Sequence, residues 1–80
     1  MIAKVKNIDQ TLFVEVIESE FATGDYIVHI GENTVFFDKN GKKIQKNDIK
    51  INSTIKIVYT NQVTLSLPPQ IIATSIIILD

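Results

Sequence analysis

Hydrophobic and polar residues alternate over most of this chain, a pattern that is typical of short β-strands. Residues 2–8 and 11–18 form two such runs. Asp9-Gln10 between them is short enough for a tight turn, so the runs predict a hairpin. In the second run, successive side chains fall on opposite faces of the strand. One face has Leu12, Val14 and Val16, and the other has Phe13, Glu15 and Ile17.

The middle of the chain predicts a third strand over 25–37 that is interrupted at Glu32-Asn33. Before the interruption, one face has Val28 and Ile30, and the other has Ile27 and His29. Residues 38–41 (Asp-Lys-Asn-Gly) predict a turn, because Asn and Gly accept positive φ. The polar residues that follow predict one short helical turn near 46–50, with Asn47 as its N-cap.

The C-terminal part predicts two more strands, 54–60 and 71–79, separated by an uncharged loop over 61–70. Pro68 and Pro69 have no backbone N–H, so they do not belong inside a sheet. Five strands with a small helical element between the third and fourth are the layout of an OB-type barrel. We therefore predict one domain, 1–80, of the all-β class, a five-stranded OB-fold-like barrel with one short helical turn between strands 3 and 4. The predicted core residues are Val14, Val28, Ile30, Ile55 and Ile57.

The composition supports the all-β class and reduces the number of functions that the chain could have. Ile, Val and Thr together make up 29 of the 80 residues, and β-branched side chains suit sheets better than helices. The net charge is −1 and there is no Arg, so the basic excess that is normal for nonspecific nucleic-acid binding is missing. With one His and no Cys, a disulfide and the common zinc sites are excluded. We predict no metal and no cofactor.

The chain also contains no apolar run near the roughly 18–20 residues that cross a bilayer, so we predict no membrane span. Its N-terminus enters a strand pattern at once and shows no secretory signal. We predict a cytoplasmic protein by default. An extracellular or cell-envelope location is the alternative if an export signal has been removed.

Several short stretches together resemble a known group of sequences. They are Lys4-Val5…Ile8-Asp9, Tyr26-Ile27-Val28-His29-Ile30, Thr34-Val35-Phe36, Asp38…Gly41-Lys42-Lys43-Ile44, Asp48-Ile49-Lys50 and Ser66-Leu67-Pro68-Pro69-Gln70-Ile71-Ile72-Ala73. The group resembled is the small OB-like β-barrel domains of unassigned function from low-GC Gram-positive bacteria, and the likeness covers most of the chain. Only the last motif, Ser-x-Pro-Pro-Gln-x-x-Ala, is specific. The group often has Gly-Asp before the fourth strand, where this chain has Asn52-Ser53. The resemblance implies a fold and no activity.

Residues with catalytic or metal chemistry are few. A Ser-His-Asp arrangement would need a serine and a carboxylate beside His29, the only histidine, and no nucleophile-elbow sequence is present. We predict a strand histidine on a half-exposed face, no catalytic residue and no enzymatic activity. Glu18, Glu20 and Asp25 lack the Asp-x-Asp-x-Asp-Gly pattern of a calcium loop, so we predict a solvated acidic surface there.

The sequence favours two places for a binding site, and the first is a sheet face. OB folds bind single strands on the outer face of strands two and three, beside the 1–2 and 4–5 loops. On this chain that face would carry Phe13, Glu15, Ile17, Ile27 and His29, with Phe36 as a further candidate. Its charges are acidic, whereas phosphates need cations. We therefore prefer a protein partner or a second subunit, and keep a single-stranded nucleic-acid-binding OB domain as the alternative.

The second place is the loop before the last strand. If it is a ligand loop, it has the Tyr59 ring at its base and offers hydrogen-bonding groups on Asn61, Gln62, Thr64, Ser66 and Gln70. Read as a cover, it closes one barrel end with Leu65 and Leu67 plugging the core, and we favour this second reading. The candidate partner-binding residues from both places are Phe13, Ile17, Ile27, His29, Tyr59, Thr64, Ser66 and Gln70.

The last strand itself predicts a contact with another chain. In Ile76-Ile77-Ile78-Leu79 both faces are apolar, whereas a strand in a one-layer barrel should show polar groups on one face. Only the 46–50 turn or the N-terminal strand could cover the second face within this chain. If neither does, the strand meets a second copy or a neighbouring domain, and our hypothesis is a homodimer.

Overall fold

A computed structural model describes all residues from Met1 to Asp80. The protein is all-β, with a single 3₁₀ turn at Lys46–Asp48. The strands are β1 Ile2–Ile8, β2 Thr11–Glu18, β3 Asp25–His29, β4 Val35–Phe37, β5 Lys43–Ile44, β6 Thr54–Thr64 and β7 Gln70–Ile78. The predicted bounds of the first two strands and the position of the helical turn are confirmed. The protein has no helix that is long and apolar enough to cross a membrane.

Five of these strands close into a barrel. Antiparallel pairing joins β1 to β2 and β2 to β3, and β3 then runs parallel to β7. β7 pairs antiparallel with β6, and β6 pairs antiparallel with β1, which completes the ring. Closure leaves no long exposed edge in the barrel wall itself. The predicted five-stranded OB-fold-like barrel, with one short helical turn before the fourth barrel strand, is confirmed.

The core follows the alternation of the strands. Its buried residues include Ala3, Val5, Leu12, Val14, Val28, Phe36, Ile49, Ile55, Ile57, Ile71, Ala73 and Ile76. Four of the five residues that the alternation predicts for the core are fully buried. Ile30 is the exception, because it lies just beyond the end of β3 and packs against the core while staying half-exposed.

The interruption of the predicted third strand divides it into two strands that both run alongside β7. Thr34 holds the break together, because its Oγ1 accepts a hydrogen bond from Gly31 N at 3.0 Å and donates one to Ala73 O at 2.7 Å. β4 and β5 then form a small hairpin outside the barrel, which the sequence did not predict. Phe36 points into the core, so its predicted place on the outer face is wrong.

Two local features, a capping hydrogen bond and a left-handed residue, shape the connection from β5 to β6. Asp48 Oδ2 accepts a hydrogen bond from Gln45 N at 3.0 Å, so Gln45 is the N-cap and the predicted cap, Asn47, lies inside the turn. Asn52 adopts φ 73°, a left-handed conformation that Asn tolerates better than most residues. This turn allows Ser53 O to accept a hydrogen bond from Val5 N at 2.9 Å.

The β6–β7 hairpin is longer than predicted, and its loop shrinks to residues 65–69. β1 pairs with β6 only at Thr54–Lys56. After Lys56, β6 pairs with β7 alone, and its outer half, the part toward the hairpin loop, projects beyond the barrel. Residues 60–62 bulge opposite Ile72 and continue the strand. Leu65 and Leu67 at the tip are 94% and 99% exposed. The prediction that these leucines plug the barrel end is wrong, because the extended hairpin carries them away from it.

The apolar end of β7 has a neighbour that the sequence did not indicate. Ile76 faces the core and Ile78 packs against it, whereas Ile77 faces outward beside Lys56 of β6 and Phe37 of β4. Ile77 is half-buried there. β4 of the small hairpin therefore pairs along one edge of this strand, and β6 pairs along the other.

Candidate functional site

Two rows of side chains cross the outside of the barrel over β2, β3, β7 and β6, and we call them the outer face. Partner residues in neighbouring strands project to the same side of a sheet. The first row is Phe13, Ile27, Gln70 and Thr64, and the second is Thr11, His29 and Ile72. Thr64 and Ile72 are exposed, and the other five residues are half-buried. The face predicted for strands two and three therefore continues onto the last two strands.

A chain of hydrogen bonds links this face to the hairpin loop. His29 Nε2 lies 2.6 Å from Gln70 Oε1, and Gln70 Nε2 donates to Ser66 Oγ at 3.3 Å. Ser66 Oγ in turn donates to Pro68 O at 2.7 Å. Because an amide oxygen only accepts, His29 Nε2 is the donor in this bond.

Parallel pairing between β3 and β7 brings these groups together across 41 positions of sequence. The loop is tied to the same place, since Ile27 N donates to Pro69 O at 3.0 Å. The outer face and the 65–69 loop therefore form one surface, in which the loop is held at both of its ends.

The first of two grooves on this surface, the His29 groove, has a volume of about 380 Å³. Its walls include His29, Gln62, Thr64, Gln70 and Ile72. Hydrogen-bonding side chains stand on both sides and the Ile72 side chain forms part of the wall, so the groove offers mixed polar and apolar contact without a charge.

The second groove, the Phe13 groove, lies where the loop meets β2 and β3 and also has a volume of about 380 Å³. It is lined by Phe13, Thr23, Asp25, Leu67, Pro68 and Pro69. One aromatic ring, two prolines and a leucine form the apolar walls, and the carboxylate of Asp25 is the charged group on the rim.

Charge is distributed unevenly around these grooves. Neither row of the outer face contains an acidic or basic residue. The next row along the sheet has Lys4, Glu15 and Asp25 in register, and Lys6 Nζ lies 3.6 Å from Glu15 Oε1. The basic stretch of residues 39–50 belongs to the β4–β5 hairpin and the 3₁₀ turn, away from both grooves.

Six of the eight candidate site residues lie together on this surface. They are Phe13, Ile27, His29, Thr64, Ser66 and Gln70. Ile17 is 58% exposed, but it lies beyond Glu15 on β2 and lines neither groove. Tyr59 packs against the core from the inner side of the barrel wall, so its ring is not at the base of a ligand loop.

The sequence reasoning missed Ile72 and Asp25 as members of the surface. Ile72 could have been found, because it alternates with buried Ile71 and Ala73 and so must face outward. Gln62 was predicted among the hydrogen-bonding groups of the loop, and the structure places it in the bulge of β6.

The geometry around His29 indicates what the site can do. Its Nε2 bonds a side-chain amide, and the hydroxyl nearest in the hydrogen-bond chain, Ser66 Oγ, already donates to a carbonyl oxygen. Nucleophilic catalysis would need a serine bonded to the histidine and a carboxylate behind it. This arrangement instead orients Gln70 and fixes the loop.

Comparison of the chain with family models, with curated proteins and with solved structures found no match. The resemblance to bacterial OB-like domains therefore stays a prediction that rests on the residues quoted for it.

Proposed function

We propose that this protein is a non-enzymatic binding module that contacts a protein partner through its outer face and the 65–69 loop. The observation that carries the proposal is the pairing of an uncharged, partly apolar face with two leucines that project into solvent beside it. Exposed apolar side chains that cluster on one surface mark interaction sites.

The energetic argument depends on where the apolar groups are. Leu65 and Leu67 lie almost wholly in water, so a partner that covers them gains about 1.5–3 kcal/mol for each side chain that becomes fully buried. Phe13 and Ile27 beside them are held by sheet pairing and lose little freedom on binding. A few well-placed apolar anchors of this kind carry most of the affinity of a protein interface.

A single-stranded nucleic-acid-binding OB domain is the alternative, and Phe13 on the outer face favours it because aromatic rings stack on bases. The charges oppose it. The row beside Phe13 has two carboxylates, Glu15 and Asp25, with one cation, Lys4, and Lys6 is paired with Glu15. Phosphate binding depends on unpaired cations along the strand, so we place the nucleic-acid function second.

Selection of peptides from a display library tests the proposal, with the folded domain as bait. We expect peptides that bind the wild-type domain and lose binding to Ile72→Lys, because the lysine puts a charge into the uncharged face. Val58→Lys is the matched control, since Ile72 and Val58 are 46% and 43% exposed and Val58 lines neither groove. Failure to enrich any peptide, or equal loss in both variants, would contradict the proposal.

A second copy of the chain is one such partner, and the homodimer predicted for the last strand would instead use the outward side or the edge of residues 76–79. Sedimentation equilibrium distinguishes this case from a different protein partner. Association that is lost in Ile77→Lys supports the homodimer predicted for the last strand. Association that is lost in Ile72→Lys and kept in Val58→Lys supports a homodimer through the outer face. A wild-type chain that stays monomeric at high concentration removes the second copy from the proposal and leaves the other protein partner. The cytoplasmic location stays a prediction.

Titration of labelled oligo-dT tests the alternative. We expect no binding tighter than about the 10⁻⁴–10⁻⁶ M of nonspecific contacts. Submicromolar binding that weakens steeply with salt and is lost in Phe13→Ala would move nucleic-acid binding to first place.

A further inference from the structure

We propose that the Phe13 groove is a subsite for one positively charged side chain, a lysine or an arginine, presented by the protein partner. The inference rests on the proposed function, because it names the chemistry that the partner must bring to one end of the outer face. The groove combines apolar walls with a single carboxylate, and this combination matches a side chain that has an aliphatic stem and a cationic head.

The walls suit the stem. Leu67, Pro68 and Pro69 form one side of the groove, and Phe13 belongs to the strand on the other. The backbone bond from Ile27 N to Pro69 O holds the two sides together. A stem of three or four methylene groups packs on such walls without needing a hydrogen bond.

The head group meets two attractive features at the rim. Asp25 is exposed there, and the one ion pair of the fold joins Lys6 to Glu15, so no cation of the chain neutralises Asp25. Phe13 offers the face or edge of an aromatic ring, and cations favour the face. An anionic side chain would instead be repelled by Asp25 and by Glu15, the residue opposite it on β2.

The charge pattern also gives the partner an orientation. The two rows of the outer face are uncharged, while in the row beside them Glu15 is paired with Lys6 and Asp25 has no ion-pair partner. A partner segment lying across the face would therefore place uncharged residues near the His29 groove and its basic residue near Asp25. Complementary charges at one end of an interface set its register more than its affinity.

An NMR titration tests the subsite directly with N-acetyl-arginine amide as the probe. N-acetyl-citrulline amide is the matched neutral probe, because it has the same length and shape without the charge. We expect saturable shifts at Phe13, Asp25 and Leu67 with the arginine probe. The citrulline probe should bind about tenfold more weakly, because it loses both the ion pair and the cation–π contact.

Variants of the groove identify the groups that act. Asp25→Asn should weaken the arginine probe about two- to fivefold, the range for an exposed ion pair. Phe13→Leu should weaken it by a similar factor, because it keeps an apolar wall and removes the ring. Glu32→Gln is the matched control, since it removes one exposed carboxylate elsewhere on the chain and should leave binding unchanged.

The outcomes separate this inference from the proposed function. Equal binding of the two probes, shifts confined to other regions, or no effect of Asp25→Asn would overturn the cation subsite. Selected peptides that need Ile72 but tolerate loss of every basic residue would overturn it too, while leaving the protein-binding function in place. Loss of arginine-probe binding in Glu32→Gln as well would show attraction by net charge alone and would also count against the subsite.

Discussion

The barrel wall and the tip of the β6–β7 hairpin contain the same kinds of residue in opposite environments. Leu12 on β2 is completely buried, whereas Leu67 at the tip is 99% exposed. The wall has neighbours on both sides of each strand, while the outer half of β6 pairs with β7 alone. The difference teaches that hydrophobicity specifies the core only where strand pairing closes around it. Beyond that point, the same residue type becomes a surface that a partner can cover.

The two regions also differ in charge. From Ile57 to Leu79 the chain has no acidic or basic residue, and this interval includes both a buried strand and the exposed tip. In the buried part the absence of charge is required by the core. In the exposed part it is not, and exposed hairpins usually have charged residues that discourage unwanted pairing. The uncharged tip therefore suits a binding surface.

The largest expected effect comes from opening a cavity in the wall. Leu12→Ala should lower the free energy of unfolding by about 2–5 kcal/mol, and Ile57→Ala should do the same. A small domain has only about 5–15 kcal/mol in total, so either variant loses a large share of its stability. Chemical denaturation measures the change. Val58→Ala, next to Ile57 but exposed, is the control and should change little. An unaltered melt of Ile57→Ala would show that the strand phase is wrong.

A smaller loss is expected where β3 gives way to β4. Thr34→Val keeps the shape of the side chain but removes the hydroxyl that bonds Gly31 N and Ala73 O. We expect a loss of about 1–3 kcal/mol, because the buried carbonyl of Ala73 and the partly buried N–H of Gly31 lose the hydroxyl that they bond. Thr34→Ser restores the hydroxyl and should recover much of the stability. Equal melting of the valine variant and the wild type would mean that this bond does not hold the break.

The hydrogen bond between the wall and the hairpin should have a modest energy. A double-mutant cycle with His29→Ala and Gln70→Ala should give a coupling free energy of about 0.5–1.5 kcal/mol, the usual net value for one hydrogen bond. Additive effects of the two substitutions would show that the bond does not join the two regions in solution.

The smallest effect on stability is expected at the tip. Leu67→Ala removes the same atoms as Leu12→Ala, yet its free energy of unfolding should stay within about 0.5 kcal/mol of the wild-type value. The same variant should weaken the binding of display-selected peptides that depend on Ile72. A strongly destabilised Leu67→Ala would show that the tip packs against the barrel, as the cover interpretation predicted.

Local alternation explains why much of the fold could be predicted from the sequence. Inward and outward positions have a period of two in any strand, so Val14, Val28, Ile55 and Ile57 were assigned to the core without knowledge of the pairing. The outward position of Phe13, Ile27 and His29 follows from the same rule. For the site, the sequence supplied the strand face and the polar loop as two separate candidates.

Only the tertiary structure joined those candidates into one surface. The bond between His29 and Gln70 depends on the parallel pairing of β3 with β7, which no local pattern encodes. The exposure of Leu65 and Leu67 depends on how far β6 continues past its last contact with β1, and the bulge at residues 60–62 decides that. Side-chain alternation is a property of neighbouring residues, whereas strand pairing and hairpin reach depend on contacts between distant ones. The sequence by itself therefore determined the strands and their inner face, and the three-dimensional packing decided which outward side chains form one surface.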